Sequence, residues 1–227
     1  MTMTNTTESP YGSQAQAQHL RVVRVRTAYE RWWKRSLDLV LASALVLVML
    51  PVILLIAFAI RVGLGKGVLY SQQRVGRDGQ PFTIWKFRTM RPDRRTRSDV
   101  PVEQDRRQQH KTVADPRHTG LGRLLRRLSL DELPQLLNVL RGDMSLVGPR
   151  PEVLSIAEER GYLDHVRHQV RPGMTGPYQV SDLRYNGDLR DGLDVDADYV
   201  QRVSLRSDLR YLFRTVAVML GRSSSGS

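Results

Sequence analysis

Apolar residues are distributed unevenly along the 227-residue chain, and their spacing predicts its elements. Met1 to Gln18 is rich in Thr, Ser, Gln and Ala with no apolar period, which predicts a disordered tail, drawn here as residues 1–28. From Leu20 to Arg35 arginines mingle with valines, Tyr29, Trp32 and Trp33, a mixture suited to the approach to a membrane interface. Leu39 to Ile60 then runs for 22 residues without a charge. As a helix it would measure roughly 33 Å, at about 1.5 Å per residue, against a hydrocarbon core of about 30 Å. Val68 to Val75 and Phe82 to Thr89 are strand-like runs around a turn containing Asp78-Gly79, which predicts a β-hairpin with Lys86 and Arg88 on one face of its second strand. Leu133, Leu136, Leu137 and Leu140 recur at helical intervals, and Gly142 stands where that helix would stop. Glu152 to Val170 has a weaker helical period, with Ile156, Leu163 and Val166 as inner positions and Ala157, Glu158, Glu159 and Arg160 facing water. Leu209, Leu212, Phe213 and Val216 form a last amphipathic stripe, suited to packing or to a membrane surface.

Pro51 sits in the middle of the apolar run and removes a helical hydrogen bond, which favours a kink or turn. Basic residues flank both ends: Arg21, Arg24, Arg26, Arg31, Lys34 and Arg35 before it, and Arg61, Lys66, Arg74 and Arg77 after it. A spanning helix would export one cluster against the positive-inside rule, whereas a re-entrant hairpin keeps both in the cytoplasm. Gly63, Gly65 and Gly67 lack the GK[ST] ending of a phosphate loop and read as a flexible exit. Arg91 to Thr112, dense in Arg, Asp and Gln, reads as a surface loop.

The net charge of +12 points to anionic partners, and a membrane surface, a nucleic acid or a sugar nucleotide would each satisfy it. The absence of cysteine excludes disulfides, thiolate metal sites and a cysteine nucleophile, leaving carboxylates and hydroxyls for covalent chemistry.

Candidate chemistry is concentrated between Arg126 and Pro151. Ser129 and Glu132 have capping-box spacing, which would place Asp131 and Glu132 in a first helical turn, although Pro134 leaves the start of the helix open. Most acidic pairs at such a position do nothing beyond complementing the helix dipole. Nearby, however, Pro149 and Pro151 frame Arg150 in an extended, stiff loop, and a guanidinium on such a mount suits a diphosphate. Arg126 and Arg127 precede the acidic pair, so a carboxylate nucleophile and a cationic clamp share one neighbourhood.

This run resembles the signature of the bacterial sugar transferases, the monotopic polyprenyl-phosphate phosphoglycosyl transferases. The likeness extends upstream through Pro81 to Met90 and Asp115-Pro116-Arg117, and downstream through Val170 to Gly176, covering roughly Lys34 to Leu220. It departs from the family pattern within residues 181–191, after Gln179, where Arg184 would replace the family's arginine in a shifted register. The resemblance implies transfer of a phospho-sugar from a nucleoside diphosphate sugar, a UDP-sugar, to polyprenyl phosphate with release of UMP, in surface glycan biosynthesis. It implies Asp131 as nucleophile and Mg²⁺ ligand, Glu132 as its partner in positioning or proton handling, and Arg126, Arg150, Lys86 and Arg88 as phosphate-binding groups. Lys34, Arg35 and Asp38 match the family's entry into the membrane, with Asp38 able to pair with both cations at helical spacing. The predicted fold class is α+β: a re-entrant membrane helix hairpin over residues 29–66, turning at Pro51, then a small helix-rich cytoplasmic catalytic domain with a β-hairpin over residues 67–221, and a flexible tail at 222–227. It would rest on the inner leaflet, with no nucleic acid partner, and a homodimer is compatible with it.

Two other readings compete. A membrane-tethered basic module for nucleic acid or lipid accounts for the charge and the apolar run but not for Arg150 or the acidic pair. Asp194, Asp196 and Asp198 suggest a DxD glycosyltransferase, which would release UDP; as a calcium loop they fail, because Tyr199 replaces the required glycine and Leu205 the required glutamate.

Overall fold

The computed structural model describes residues 26–91, 119–181, 189–219 and 221. The expectations for the tail up to residue 25, the basic stretch beyond Arg91, Asp115 to Arg117, Arg184 and the tail after Gly221 fall outside them.

A π-helical turn at Tyr29–Trp33 leads into α1 (Lys34–Leu64), which ends where Gly65 takes a positive φ of 81°. The expected turn at Pro51 is absent: α1 is one uninterrupted helix with Pro51 inside it. Tertiary packing explains the difference. Asp38, Ala42, Val46, Ile53, Ile56 and Ile60 recur at spacings of three, four or seven residues, which keeps them on one helix face, and lie against the remainder of the chain, so one stripe of α1 is held along most of its length. An interior proline costs about 3 kcal/mol, and burying Ile56 and Ile60 alone contributes about 1.5–3 kcal/mol each. The other faces are bare: Leu47, Val48, Leu54, Leu55, Phe58 and Val62 are 60–72% exposed. Among the described residues, this is the helix long and apolar enough to cross a membrane, and with its exposed apolar surface it indicates membrane association.

The start of α1 is bonded to the domain rather than to itself. Lys34 donates from Nζ to Val147 O (3.0 Å) and pairs with Asp208, while Arg35 donates to Val139 O (2.6 Å) and Leu140 O (2.9 Å). Asp38 Oδ1 accepts from the Leu146 amide (3.1 Å). Of the i,i+3 and i,i+4 pairing expected of Asp38, the charge of Lys34 does act on it, while the hydrogen bonds of all three side chains run to partners far along the chain. At the far end, Arg88 donates to Leu64 O (2.7 Å).

The hairpin forms as its turn predicts: β1 (Leu69–Val75) and β2 (Pro81–Phe87) pair antiparallel, and Asp78 and Gly79 adopt the left-handed backbone the reversal needs. After α2 (Gly120–Arg127), capped by the Thr119 hydroxyl on the Gly122 amide, comes a 3₁₀ turn at Leu130–Glu132 and then α3 (Gln135–Arg141), stopped by Gly142 with φ 97°. Fully buried Asn138 of α3 grips β2, accepting from the Trp85 amide and donating to Thr83 O (2.8 Å). Arg141 lies over the Trp85 ring, 4.2 Å from its centroid. The Thr119 hydroxyl also donates to Thr89 O (3.3 Å), and Arg126 Nε donates to the Thr89 hydroxyl (2.9 Å), which ties α2 to the end of the hairpin.

β3 (Ser145–Val147) and β4 (Gly173–Thr175) pair in parallel at the centre of the main core, between α3 and α1. Between them lie α4 (Leu154–Glu159) and a 3₁₀ turn at Val166–Gln169. Ala157 of α4 is buried, contrary to its expected outward position; Glu158, Glu159 and Arg160 are exposed. α5 (Leu189–Gln201) and α6 (Leu205–Met219) complete the described chain, α6 burying Asp208 while Leu209, Phe213 and Val216 stay exposed on its outer side. Asp208 accepts from the hydroxyls of Tyr29 (2.8 Å) and Tyr199 (2.8 Å), so one carboxylate joins the entry to α1, α5 and α6.

Candidate active site

Antiparallel register puts Arg74 opposite Phe82, Gln72 opposite Ile84 and Tyr70 opposite Lys86, so Arg74, Ile84 and Lys86 share one face of the hairpin. That face forms one wall of a cleft whose other residues are Glu132, Gln135, Arg150, Pro151, Gly173, Met174 and Gln179. The central segment, the proline-framed loop and the turn after β4 therefore converge on it. Nε of Arg74 and both amide atoms of Gln179 are buried without a hydrogen-bond partner among the described residues, which leaves donors and an acceptor for a ligand.

The acidic pair is presented by a 3₁₀ turn, not by the capping box the spacing suggests. Ser129 is left-handed (φ 56°) and makes no side-chain cap, and Pro134, which has no N–H to offer, is the cap of α3. Glu132 Oε1 accepts from Lys86 Nζ at 2.7 Å. Asp131 is held above the usual carboxylate range, by burial first and by Glu132 next, with Lys86 and Arg126 pulling the other way. Asp131 is thus a more basic carboxyl than an exposed aspartate, next to the Glu132 carboxylate and under the influence of two cations.

Arg150 is exposed and lines the cleft. Its loop is held by close backbone contact: a Cβ on Gly148 would stand 2.4 Å from Arg171 O, one on Gly173 2.1 Å from Gly148 N, and one on Gly176 2.0 Å from Gly148 O. Only glycine lets these backbones meet. Half-buried Arg74 is the second arginine of the cleft. Burial, and then the charge of Arg150, lower its pKa, and it donates to Pro151 O (3.0 Å) and to Gln72 Oε1 (2.7 Å).

The bacterial sugar transferase family model matches residues 29–222. The chain belongs to the bacterial sugar transferase family. The UDP-glucose:undecaprenyl-phosphate glucose-1-phosphate transferase of Caulobacter vibrioides is 44% identical over 82% of this chain and 69% of its own length. The Escherichia coli transferase of the same description is 38% identical over 82% of this chain, and the exopolysaccharide production protein ExoY of Rhizobium meliloti is 40% identical over 84%. This chain spans 40% of the length of the E. coli protein and 87% of that of ExoY.

Within this sugar transferase domain, Lys86, Glu132 and Arg150 line the same cleft; Asp131 adjoins Glu132 in the chain and is acted on by the charges of Glu132, Lys86 and Arg126. Arg88 does not line it; its guanidinium is bonded to Leu64 O and Gly65 O at the end of α1. The DxD reading loses its geometry. The three aspartates lie on α5, where Asp196 is buried against Arg167 while Asp194 and Asp198 are exposed. No group of three His, Cys, Asp or Glu residues among those described could hold a metal ion. Sequence reasoning counted Arg74 only as a flanking charge and did not single out Gln135 or Arg167. The hairpin register could have placed Arg74, because it stands on the same face as Lys86.

Proposed function

We propose that this transferase moves a phospho-sugar from a UDP-sugar to polyprenyl phosphate, through a covalent intermediate on Asp131. The observation that carries the reading is the convergence of Glu132, Lys86, Arg74 and Arg150 on one cleft, next to a basic aspartate. In the first step an oxygen of Asp131 forms a bond to the sugar-bearing phosphorus, and the bond from that phosphorus to the bridging oxygen breaks, releasing UMP. In the second, a phosphate oxygen of the polyprenyl acceptor attacks the same phosphorus and Asp131 leaves as carboxylate, giving the polyprenyl-diphosphate-sugar. Arg150 and Arg74 would neutralise the diphosphate, and Lys86 would hold the Glu132 side chain in place beside the reacting group. Arg126 would stabilise the ionised Asp131.

Two adjacent carboxylates next to a diphosphate suit Mg²⁺, which characteristically takes one or two protein carboxylates and completes its shell with phosphate oxygens and water. Asp131 would hold it, and when bound it would neutralise charge on the diphosphate.

The helix α1 would enter the membrane from the cytoplasmic face only. Its first turn is bonded to Val139, Leu140, Val147 and Asp208 and its last carbonyls to Arg88, so both ends rest on one body, whereas a spanning helix carries its ends to opposite sides. Exposed Leu209, Phe213 and Val216 on α6 would meet the same inner leaflet.

The test is intact-protein mass spectrometry after incubation with a panel of UDP-sugars, together with nucleotide analysis. Wild type should gain the mass of a phospho-sugar and release UMP, and Asp131→Asn should do neither. Release of UDP, or an adduct that persists in Asp131→Asn, would overturn the reading.

A further inference from the structure

The backbone that carries Arg150 is bonded at every carbonyl. Pro149 O accepts from the Gly173 amide (2.8 Å), Arg150 O from Arg167 Nη2 (2.6 Å), Pro151 O from Arg74 Nη1 (3.0 Å) and Glu152 O from the Val75 amide (3.0 Å). Two of these four donors are amides of neighbouring strands, as in any packed loop. The other two are guanidiniums, and Arg167 is unusual among them. It is 5% exposed and does not itself line the cleft, and it is neutralised by Asp196 at 2.8 Å and Glu152 at 3.5 Å.

A buried cation with two carboxylates is an expensive way to satisfy one carbonyl oxygen, since desolvating each ion costs several kcal/mol and a neutral donor would serve. The arrangement does have one property a neutral donor lacks. Arg167 reaches three residues on two elements at once: the Arg150 carbonyl and, two residues further on in the same loop, Glu152, together with Asp196 on α5. It thereby fixes the loop on both sides of Pro151 against a helix, in the one place where the prolines provide no N–H of their own. Misplacing a substrate-binding group by about 1 Å can lower a rate by about 100-fold, so a rigid mount has functional value.

We infer that Arg167 is a positioning residue for Arg150: it acts on an anionic, diphosphate-bearing ligand only by holding the backbone from which Arg150 reaches into the cleft. This rests on the proposed role of Arg150 in binding the diphosphate. It extends the site to a residue that touches no substrate.

The test is a double-mutant cycle on Arg150→Ala and Arg167→Met in the full chain, purified in detergent. Binding of UDP is measured by calorimetry, and UMP release from the UDP-sugar accepted by wild type gives KM and kcat. Arg167→Met should weaken UDP binding and raise KM for the UDP-sugar by about 10–100-fold, the range in which removing a supporting residue usually falls. In the Arg150→Ala background the same substitution should change UDP affinity less than about 3-fold, because its route to the ligand is already gone. Arg167→Lys, which can still donate to the carbonyl, should recover part of the affinity and takes the place of Arg167→Met in the cycle if that variant does not fold. Additive losses in the cycle would mean that Arg167 acts through overall stability or its own ligand contact, and the inference would fall while wild-type UMP release left the proposed reaction standing. Absence of UMP release from wild type with every UDP-sugar would remove that reaction, and the inference with it.

Discussion

Replacing His168 with glutamine should flatten the acid side of the stability profile. His168 is 6% exposed, and its imidazole is pushed down from 6.5 to about 3, by burial first and then by the charges of Arg167 and His165, against an opposing hydrogen bond with the Tyr162 backbone. Such a histidine stays neutral in the folded chain while the unfolded chain takes up a proton, so stability is lost as pH falls from 6.5 towards 3. At about 1.4 kcal/mol per pH unit in that window, ~2 kcal/mol is gone by pH 5, and the loss approaches roughly 5 kcal/mol near pH 3. Asp196 works in the opposite direction. Burial raises it from 3.8 to about 6 despite Arg167, so the folded chain holds its proton more tightly and stability is gained as pH falls through 6 towards 4. The wild-type profile therefore mixes two opposed slopes, and only the difference between wild type and His168→Gln isolates the histidine. Denaturant unfolding in detergent at steps from pH 7.5 to 4.5 measures it. The two proteins should converge in pH dependence above pH 7 and separate by about 2 kcal/mol at pH 5. Parallel profiles would show that the imidazole is solvated or protonated in the folded chain, and the burial argument would fail.

Gly148→Ala should lower stability by about 3 kcal/mol or more, because the new Cβ meets backbone that cannot yield; an unchanged melting temperature would contradict the close packing at Arg171 O. Asp208→Asn should also cost about 3 kcal/mol, since it leaves Lys34 without its counterion, and thermal unfolding checks it. Excess chelator should stop UMP release and Mg²⁺ restore it, whereas full activity in chelator would remove the metal from the reaction. Because the chain has no cysteine, single cysteines at exposed Ala28 and Lys66 can report topology. Both should resist a membrane-impermeant thiol reagent until cells are opened, and labelling of either from outside would mean that α1 spans.

Features set by a residue's own backbone were the legible ones. Asp78-Gly79 fixes the hairpin turn and Gly142 the end of α3, each through positive φ. The capping box at Ser129 was not, because Pro134 just downstream moves the start of α3 and leaves Asp131 and Glu132 in a tighter turn. Pro51 misled for a similar reason: its local penalty is visible in sequence, while the contacts that keep α1 continuous come from Phe87, Leu125 and other residues far along the chain. Arg150 could be found from its two prolines. Arg167 and Asp196 carry no such mark, since a buried pair 29 positions apart leaves no local periodicity to read.

The latch between Thr89 and Thr119 bears on what can pivot in this molecule. The Thr119 hydroxyl reaches Thr89 O and Arg126 Nε reaches the Thr89 hydroxyl, so one threonine at the end of the hairpin is gripped from both ends of α2. A helix moored at two points cannot swing about either. Any displacement of the hairpin end would therefore carry Arg126 along with it.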